Sequence, residues 1–201
     1  MTGAALVALA LAGCAGNSSP AATETVTPSP TASPTQTSVN PTPTPTPTST
    51  AAAGDLCTTD HLTGAVGERD GAPAGAGDGM NQKKEAIIVT NTGSTTCTLQ
   101  GWPGLSLVGK GNGTQLGAAA QLDRTTPHPT VTLAPGARAQ APFTYSNAQV
   151  YAPEECNLTD ADGFRVYPPG STTSLFISDL LQACTLTTHD LLTVGAFVPY
   201  P

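Results

Sequence analysis

The residues of this chain that could carry chemistry are three histidines, a handful of acidic side chains and five cysteines. His61 follows Asp60, and His189 precedes Asp190, so each imidazole has a carboxylate neighbour of the kind used in acid–base catalysis. Because adjacent residues of a strand point to opposite faces, neither pair forms a site alone. An enzyme would need His61, His189 and a carboxylate to converge from distant parts of the chain.

Two short segments resemble known motifs, but each lacks a required residue. Residues 104–110 match a phosphate-binding loop up to its lysine, yet Gly111 stands where a Mg²⁺-binding hydroxyl is needed. Carboxylates cluster near Cys156, in a segment predicted to be a loop, but Leu158 occupies the first ligand position of a calcium loop. We therefore predict no catalytic residues, no metal ion and no cofactor, and expect the protein not to be an enzyme.

Cys14 is the cysteine left over when the other four, at positions 57, 97, 156 and 184, form two disulfides. The segment Leu11-Ala12-Gly13-Cys14 resembles the lipobox of bacterial lipoproteins. That resemblance implies transfer of a diacylglycerol, with acyl chains such as palmitate, to the Cys14 thiol and cleavage before it. Two or three acyl chains give firm anchoring, whereas one gives only reversible membrane binding. We expect the chain to be attached in this way to the outer face of the cytoplasmic membrane.

Residues 1–13 are predicted to be the signal peptide that precedes this cysteine. The apolar run from Ala4 to Ala12 is too short to cross a bilayer but matches the centre of an export signal. The basic residues usual at the start of such signals are missing, which suggests that translation begins upstream of Met1.

Residues 14–54 are predicted to be a disordered linker rich in threonine and proline. The segment after Cys14 has one charged residue, Glu24, and too few large apolar side chains to offset the entropy of folding. Its alternating prolines favour extended polyproline II, which would reach about 120 Å. The same composition is typical of both glycosylated stalks and plain spacers, and the sequence does not separate the two.

Residues 55–201 remain as one domain, long enough for a single core. This domain carries all seven basic residues and thirteen of the fourteen acidic ones, so its net charge is 7 − 13 = −6. The basic residues are not concentrated in one part of the sequence, so we expect the protein not to bind nucleic acids. We interpret the acidity as favouring solubility, and we expect a monomer.

The four cysteines of the domain allow three disulfide pairings. We expect Cys57–Cys97 and Cys156–Cys184, because this pairing joins sequence neighbours and does not cross. Each bridge would contribute about 3.5–4 kcal/mol by the chain-entropy argument. A zinc site is the alternative, but no two cysteines show the close spacing that such sites use.

Short β-rich segments separated by turn residues fill the domain. Residues 86–90 and 96–100 flank Asn91-Thr92-Gly93 and are predicted to form a tight hairpin. Further strands are expected at 105–108, 131–133, 140–146, 164–167, 175–177 and 191–198, and a short helical turn at 179–183. Many short strands and few helix signals predict an all-β antiparallel β-sandwich.

The order C…NTG…TCTLQGWPGLSLV…VTLAPGA…C…FRVYPPG…C resembles an actinobacterial family of secreted proteins and lipoproteins, domain of unknown function 4232. The resemblance covers roughly residues 57–198, and its most specific part is residues 97–104, where the family more often has tyrosine than Trp102. It implies export and an immunoglobulin-like sandwich. It implies no activity and no catalytic residues.

The expected function is therefore a lipid-anchored, extracytoplasmic and non-catalytic module that binds a protein or a cell-envelope ligand at loops on the sandwich ends. Trp102 and Tyr151 are the candidate ligand-binding residues. The alternative is an envelope hydrolase or metal-dependent enzyme that uses His61 and His189 with nearby carboxylates. A third class, a purely structural envelope component, predicts no pocket.

Overall fold

The computed structural model describes residues 55–73 and 75–201. Within these residues the chain forms twelve β strands, one short α helix and three single turns of 3₁₀ helix. The strands are β1 (Leu62–Glu68), β2 (Gln82–Asn91), β3 (Cys97–Leu99), β4 (Gly104–Gly109), β5 (Thr114–Leu116), β6 (Gln121–Leu122), β7 (Val131–Leu133), β8 (Arg138–Ser146), β9 (Leu158–Tyr167), β10 (Leu175–Cys184), β11 (Leu192–Val194) and β12 (Val198–Pro199). The helix α1 spans Pro153–Cys156, and the 3₁₀ turns span Thr59–His61, Arg69–Gly71 and Ala148–Val150.

The predicted signal peptide (residues 1–13), the predicted lipidation site Cys14 and the predicted linker (residues 14–54) lie outside the described residues. In the part of the chain that the structure describes, no helix is long and apolar enough to span a membrane.

The strands form two packed sheets and one small ribbon. The larger sheet has the order β1-β2-β8-β11-β6. Strand β12 also pairs with β8, on the same side as β11: β11 pairs with residues 143–145 and β12 with residues 139–140. The second sheet has the antiparallel order β10-β9-β4-β5, and β3 pairs with β7 in the ribbon. The one parallel pair among these strands joins β6 to β11. These sheets confirm the expected all-β, immunoglobulin-like sandwich.

The core lies between the two sheets because each strand turns alternate side chains inward. Along β8 the inward residues Ala139, Ala141, Phe143 and Tyr145 are buried, as the period of two requires. Phe143 meets Phe164 of β9 edge to face across the sandwich, with ring centroids 5.2 Å apart. Burial of such a side chain contributes about 1.5–3 kcal/mol, so contacts of this kind hold the sheets together.

The sandwich has two distinguishable ends. At the proximal end the described chain starts at Asp55, Leu56 bridges to Thr98, and β1 begins beside the last residue of β2. At the distal end β2 and β9 begin, β8 and β10 finish, and the Tyr145 hydroxyl reaches the Gln182 carbonyl between the sheets. The nine residues of β8 separate these ends by about 27 Å.

Each end carries one disulfide. Cys57–Cys97 ties the first described residues to β3 at the proximal end, with Cα atoms 4.9 Å apart. Cys156–Cys184 ties α1 to the last residue of β10 at the distal end, with Cα atoms 4.5 Å apart. Both bridges were predicted from the sequence and are confirmed.

Three local predictions are wrong. Residues 86–90 do not pair with residues 96–100, because β2 lies between β1 and β8 whereas β3 pairs with β7. Residues 179–183 are not helical but belong to β10, whose register shifts between Ser178 and Leu181 in a β-bulge. Asp160 and Asp162 lie in strand β9 and not in a loop.

Candidate functional site

The structure places His61 and His189 at opposite ends of the sandwich. His61 ends the 3₁₀ turn before β1, at the proximal end. His189 lies in the loop between β10 and β11, and β11 pairs with the distal half of β8. The two imidazoles therefore cannot share an active site in this fold. Among the described residues, no group of three or more histidine, cysteine or acidic side chains is arranged to hold a metal ion.

His189 instead contacts Tyr151, one of the two candidate binding residues. The rings stack with centroids 3.8 Å apart and planes 15° apart. His189 Nε2 lies 3.4 Å from Glu155 Oε2, and the Thr188 hydroxyl donates to the Glu155 carbonyl. These contacts fasten the loop after β10 to helix α1. One face of the Tyr151 ring is thus occupied by the protein itself.

Trp102, two residues before β4, also contacts other parts of the protein. Its Nε1–H donates to the Asp123 carbonyl at 2.7 Å. The Arg124 guanidinium lies 5.2 Å from the indole centroid, and the His128 ring lies 4.9 Å from it. A guanidinium at this distance interacts favourably with the π face. Trp102 therefore fixes the loop of residues 123–128, and a direct role in ligand binding stays a prediction.

A concave surface lies at the distal end, and we call it the distal cleft. It opens between β2 and β8 of one sheet and β9 and β10 of the other, and has a volume of about 650 Å³. Tyr145, Ala161 and Leu181 form its apolar floor. This size is within the range of sites for small ligands or single peptide segments.

The walls of the distal cleft are polar and rich in side-chain amides. Its charged groups are the carboxylates of Asp78 and Asp160 and the ammonium group of Lys83. Because each amide both donates and accepts hydrogen bonds, the walls suit a ligand that carries donors and acceptors together. The amide side chains are Asn81, Gln82, Asn147, Gln149 and Gln182.

One wall is held in place by the buried Tyr145 hydroxyl. This hydroxyl donates to the Gln182 carbonyl at 2.6 Å and accepts from the Ala148 N–H at 3.4 Å. Burial raises the pKa of Tyr145, so the phenol keeps the proton that it donates. Cys156 Sγ lies 3.6 Å from the Ala148 carbonyl, on the other side of the 3₁₀ turn. The 3₁₀ turn that carries Gln149 is therefore held by contacts of Ala148 with the Tyr145 hydroxyl and with the Cys156–Cys184 disulfide.

The facing wall is the loop before β2, and it is held by backbone contacts. The N–H of Gly79 donates to the Gln82 carbonyl at 3.1 Å, and the reverse bond is 3.2 Å long. The Lys84 N–H donates to Asp78 Oδ1 at 2.7 Å. The Asn147 N–H donates to the Asn81 carbonyl at 2.9 Å, which joins the two walls.

The β-bulge of β10 places Leu180 at the rim of the cleft, where 85 % of the residue is exposed. The opposing residue Gly163 has φ +151°, and a Cβ there would lie 2.1 Å from the Ile177 carbonyl oxygen. Only glycine fits beside the bulge without a backbone shift. Met80, between the lining residues Gly79 and Asn81, is 93 % exposed.

A pair of glutamates lies on neighbouring strands close to the cleft. Glu68 of β1 and Glu85 of β2 are direct cross-strand partners, and each has one buried carboxylate oxygen without a hydrogen bond among the described residues. Burial raises the pKa of Glu85; Lys83 acts in the opposite direction, and Asp179, Glu68 and Asp78 raise it further. Negative potential therefore accumulates near this end of the sandwich.

A second depression, of about 590 Å³, lies on the outer face of the four-stranded sheet. Its charged groups bind the protein's own turn after β4: the Arg165 guanidinium donates to Gly113 O and Gln115 Oε1, and Asp162 accepts from the Gly111 N–H. We therefore regard the distal cleft, where Asn81, Gln82 and Gln149 are exposed, as the candidate functional site.

Among the candidate residues chosen from the sequence, Tyr151 and His189 lie near this end, and none lines the cleft itself. The amides have no characteristic spacing, since they come from three separate segments of the chain, at residues 81–82, 147–149 and 182. The one local signal is Tyr145, an aromatic residue at the inward position of a buried strand, whose hydroxyl must find a partner.

A family model described as "Domain of unknown function (DUF4232)" matches residues 57–198. The matched range includes both disulfides, the strands of the two sheets except the last residue of β12, and the whole distal cleft. No curated protein and no solved structure matches the chain.

Proposed function

The chain belongs to the family described as domain of unknown function (DUF4232), and on that premise we propose that it is a lipid-anchored, extracytoplasmic module that binds a ligand in the distal cleft without catalysing a reaction. The ligand is a protein or another component of the cell envelope. We further propose that the chain is an actinobacterial lipoprotein and that it acts as a monomer.

The observation that carries this proposal is the position and chemistry of the distal cleft. The described chain starts at Asp55, at the proximal end, whereas the cleft is at the other end of β8. In a protein tethered through the residues before Asp55, the end away from the attachment point is free to meet a partner. The amide-lined walls offer hydrogen bonds to such a partner, and their backbone is held rigid before binding.

The proposed anchor rests on the segment Leu11-Ala12-Gly13-Cys14, outside the described residues. Two disulfides in the domain support export, because such bonds persist in oxidising compartments. They also account for the other four cysteines and leave Cys14 for lipidation. The cytoplasmic membrane would then be the first partner of the protein.

The alternative, a hydrolase or metal enzyme based on His61 and His189, has no support in the fold. These residues lie at opposite ends of β8, and His189 is stacked on Tyr151. We therefore propose binding and not catalysis.

The anchor is tested by metabolic labelling with a clickable fatty-acid analogue. We expect the wild-type chain to be labelled and to partition with membranes, and the Cys14→Ala variant to be unlabelled and released. Equal labelling of both proteins would contradict lipidation at Cys14.

The binding role is tested by site-specific photo-crosslinking in intact cells. A photoreactive amino acid replaces Gln149, an exposed residue of the cleft, or Thr172, an exposed residue at the proximal end, as the matched control. We expect discrete cross-linked species at position 149 and none of the same mass at position 172. Absence of any species specific to position 149 would contradict binding in the cleft.

A further inference from the structure

Two large apolar residues are exposed at the distal cleft: Leu180, which lines it, and Met80, which lies between the lining residues Gly79 and Asn81. Among the large apolar residues that the structure describes, Met80 and Leu180 are the two most exposed, at 93 % and 85 %. Leu180 owes its exposure to the bulge opposite Gly163, so the exposure is built into the fold. A β-bulge commonly re-aims a side chain at a functional surface. The rim is therefore suited to pack against apolar groups of a partner.

Carboxylates outnumber ammonium groups around the same cleft. Two carboxylates, of Asp78 and Asp160, and one ammonium group, of Lys83, line it. Glu68 and Glu85 lie on the neighbouring strands, where the Arg69 guanidinium contacts the Glu85 carbonyl. The excess of negative charge favours a cationic partner.

The interior of the cleft adds hydrogen-bonding groups of both kinds. The exposed side chains of Asn81, Gln82 and Gln149 each carry an amide N–H donor and a C=O acceptor. Peptide groups present N–H and C=O together, so a polypeptide backbone matches these walls. A metal ion would leave the apolar rim and the amides unused.

We propose that the distal cleft receives a cationic, amphipathic polypeptide segment of a partner protein. The segment's backbone lies along the amides, its apolar side chains pack on Met80 and Leu180, and its lysine or arginine side chains face the surrounding carboxylates. This inference rests on the proposed binding role of the cleft and specifies the chemistry of its ligand.

The test uses the full-length chain and three short synthetic peptides, with binding followed by fluorescence anisotropy. The first peptide alternates leucine and lysine, the second leucine and glutamate, and the third serine and lysine. We expect saturable binding of the first peptide, weakened by added salt, and no saturable binding of the other two. Hydrogen exchange should show protection of residues 79–83 and 179–182 by the first peptide.

Variants then separate the two components of the surface. Met80→Ser with Leu180→Ser should weaken binding at least fivefold, by about the amount typical of interface anchor residues. Asp78→Asn with Asp160→Asn keeps the hydrogen-bond acceptors and removes two charges. It should weaken binding about fivefold and reduce the salt dependence.

The control carries the same kinds of change outside the cleft, at Asp60→Asn and Phe176→Ser. Asp60 is exposed at the proximal end, and Phe176 is 60 % exposed on the same strand as Leu180. Equal losses in the control and in the cleft variants would overturn the inference. Equal binding of the glutamate peptide would also overturn it.

The outcome is distinguishable from failure of the proposed function. If position 149 cross-links in cells but the leucine–lysine peptide does not bind, the cleft is a binding site for another ligand and this inference is wrong. If the peptide protects the cleft but no cross-link forms in cells, the chemistry of the surface is as inferred and its use in the envelope is refuted.

Discussion

Replacement of Gly163 by alanine should be among the most damaging single-methyl changes in this protein. Gly163 lies in β9, opposite the bulge of β10, with φ +151°. A Cβ at this position would lie 2.1 Å from the Ile177 carbonyl oxygen and 2.9 Å from the Asp179 nitrogen. Both are backbone atoms of the neighbouring strand, so they cannot move as a flexible side chain does.

The expected cost has two sources. An alanine held at this backbone conformation costs about 1–3 kcal/mol. Displacement of the adjacent strand to remove the overlap costs about 1–3 kcal/mol more, as in overpacked cores. We expect a loss of about 4 kcal/mol in the free energy of unfolding. For a domain of this size that is a fall of roughly 10 °C in Tm.

The assay is urea unfolding of the full-length chain, followed by near-ultraviolet circular dichroism, with the slope of the transition compared between variants. Gly136→Ala is the matched control: its φ is +79°, but no atom lies within 4 Å of the added methyl group. The control should lose only about 1–2 kcal/mol, the cost of a left-handed conformation. If the free energy of unfolding falls no more in Gly163→Ala than in Gly136→Ala, the contact of residue 163 with β10 does not constrain the bulge. Our explanation that this bulge exposes Leu180 would then be wrong.

Three further predictions follow from the same contacts. Because the folded pKa of Glu85 is raised, its carboxyl stabilises the fold at low pH, and that contribution is lost as the pH rises through the interval between its unfolded and folded pKa. The Tm of Glu85→Gln relative to the wild type should therefore increase from acidic to neutral pH, and a constant difference would contradict this. Replacement of both Cys156 and Cys184 by alanine should lower the free energy of unfolding by about 3–4 kcal/mol in urea titrations, and an unchanged midpoint would refute the role of this bridge. Deletion of residues 15–54 should leave the Tm of the domain nearly unchanged by calorimetry, since that tract has little apolar surface to bury, and a large decrease would show that it packs on the domain.

The fold class was predictable because short stretches of sequence identify strands, and the disulfides were predictable because four cysteines allow only three pairings. β-branched runs interrupted by Gly and Pro identify strands, and four cysteines leave few pairings to choose from. The pairing of strands was not predictable in the same way. Residues 86–90 have a turn signal directly after them, yet their β8 partner lies some fifty residues later, because burial of the inward face of β2 decides the pairing.

In the candidate site, too, the features that depend on long-range contacts were not predictable from the sequence. Asp160-Ala161-Asp162-Gly163 resembles part of a calcium loop, but the structure uses it as a strand whose glycine makes room for a bulge. The function of Gly163 depends on a backbone carbonyl fourteen residues later, which no local pattern specifies. Tyr151 was predicted to bind a ligand as one of the few aromatic residues of the domain, and the structure stacks it on His189 at the distal end.

The way in which the distal cleft is held favours a binding role over a purely structural one. Three features fix the backbone around the cleft: the Cys156–Cys184 disulfide, the hydrogen bonds of the buried Tyr145 hydroxyl, and the β-bulge opposite Gly163. A sandwich that served only as an envelope spacer could close this end with apolar side chains and would gain stability by doing so. Here an amide-lined opening is instead kept rigid, and Leu180 is turned out of the core at its rim. Exposed hydrogen-bonding groups on a backbone that is held in place lower the cost of ordering on association, which is the property expected of a binding site.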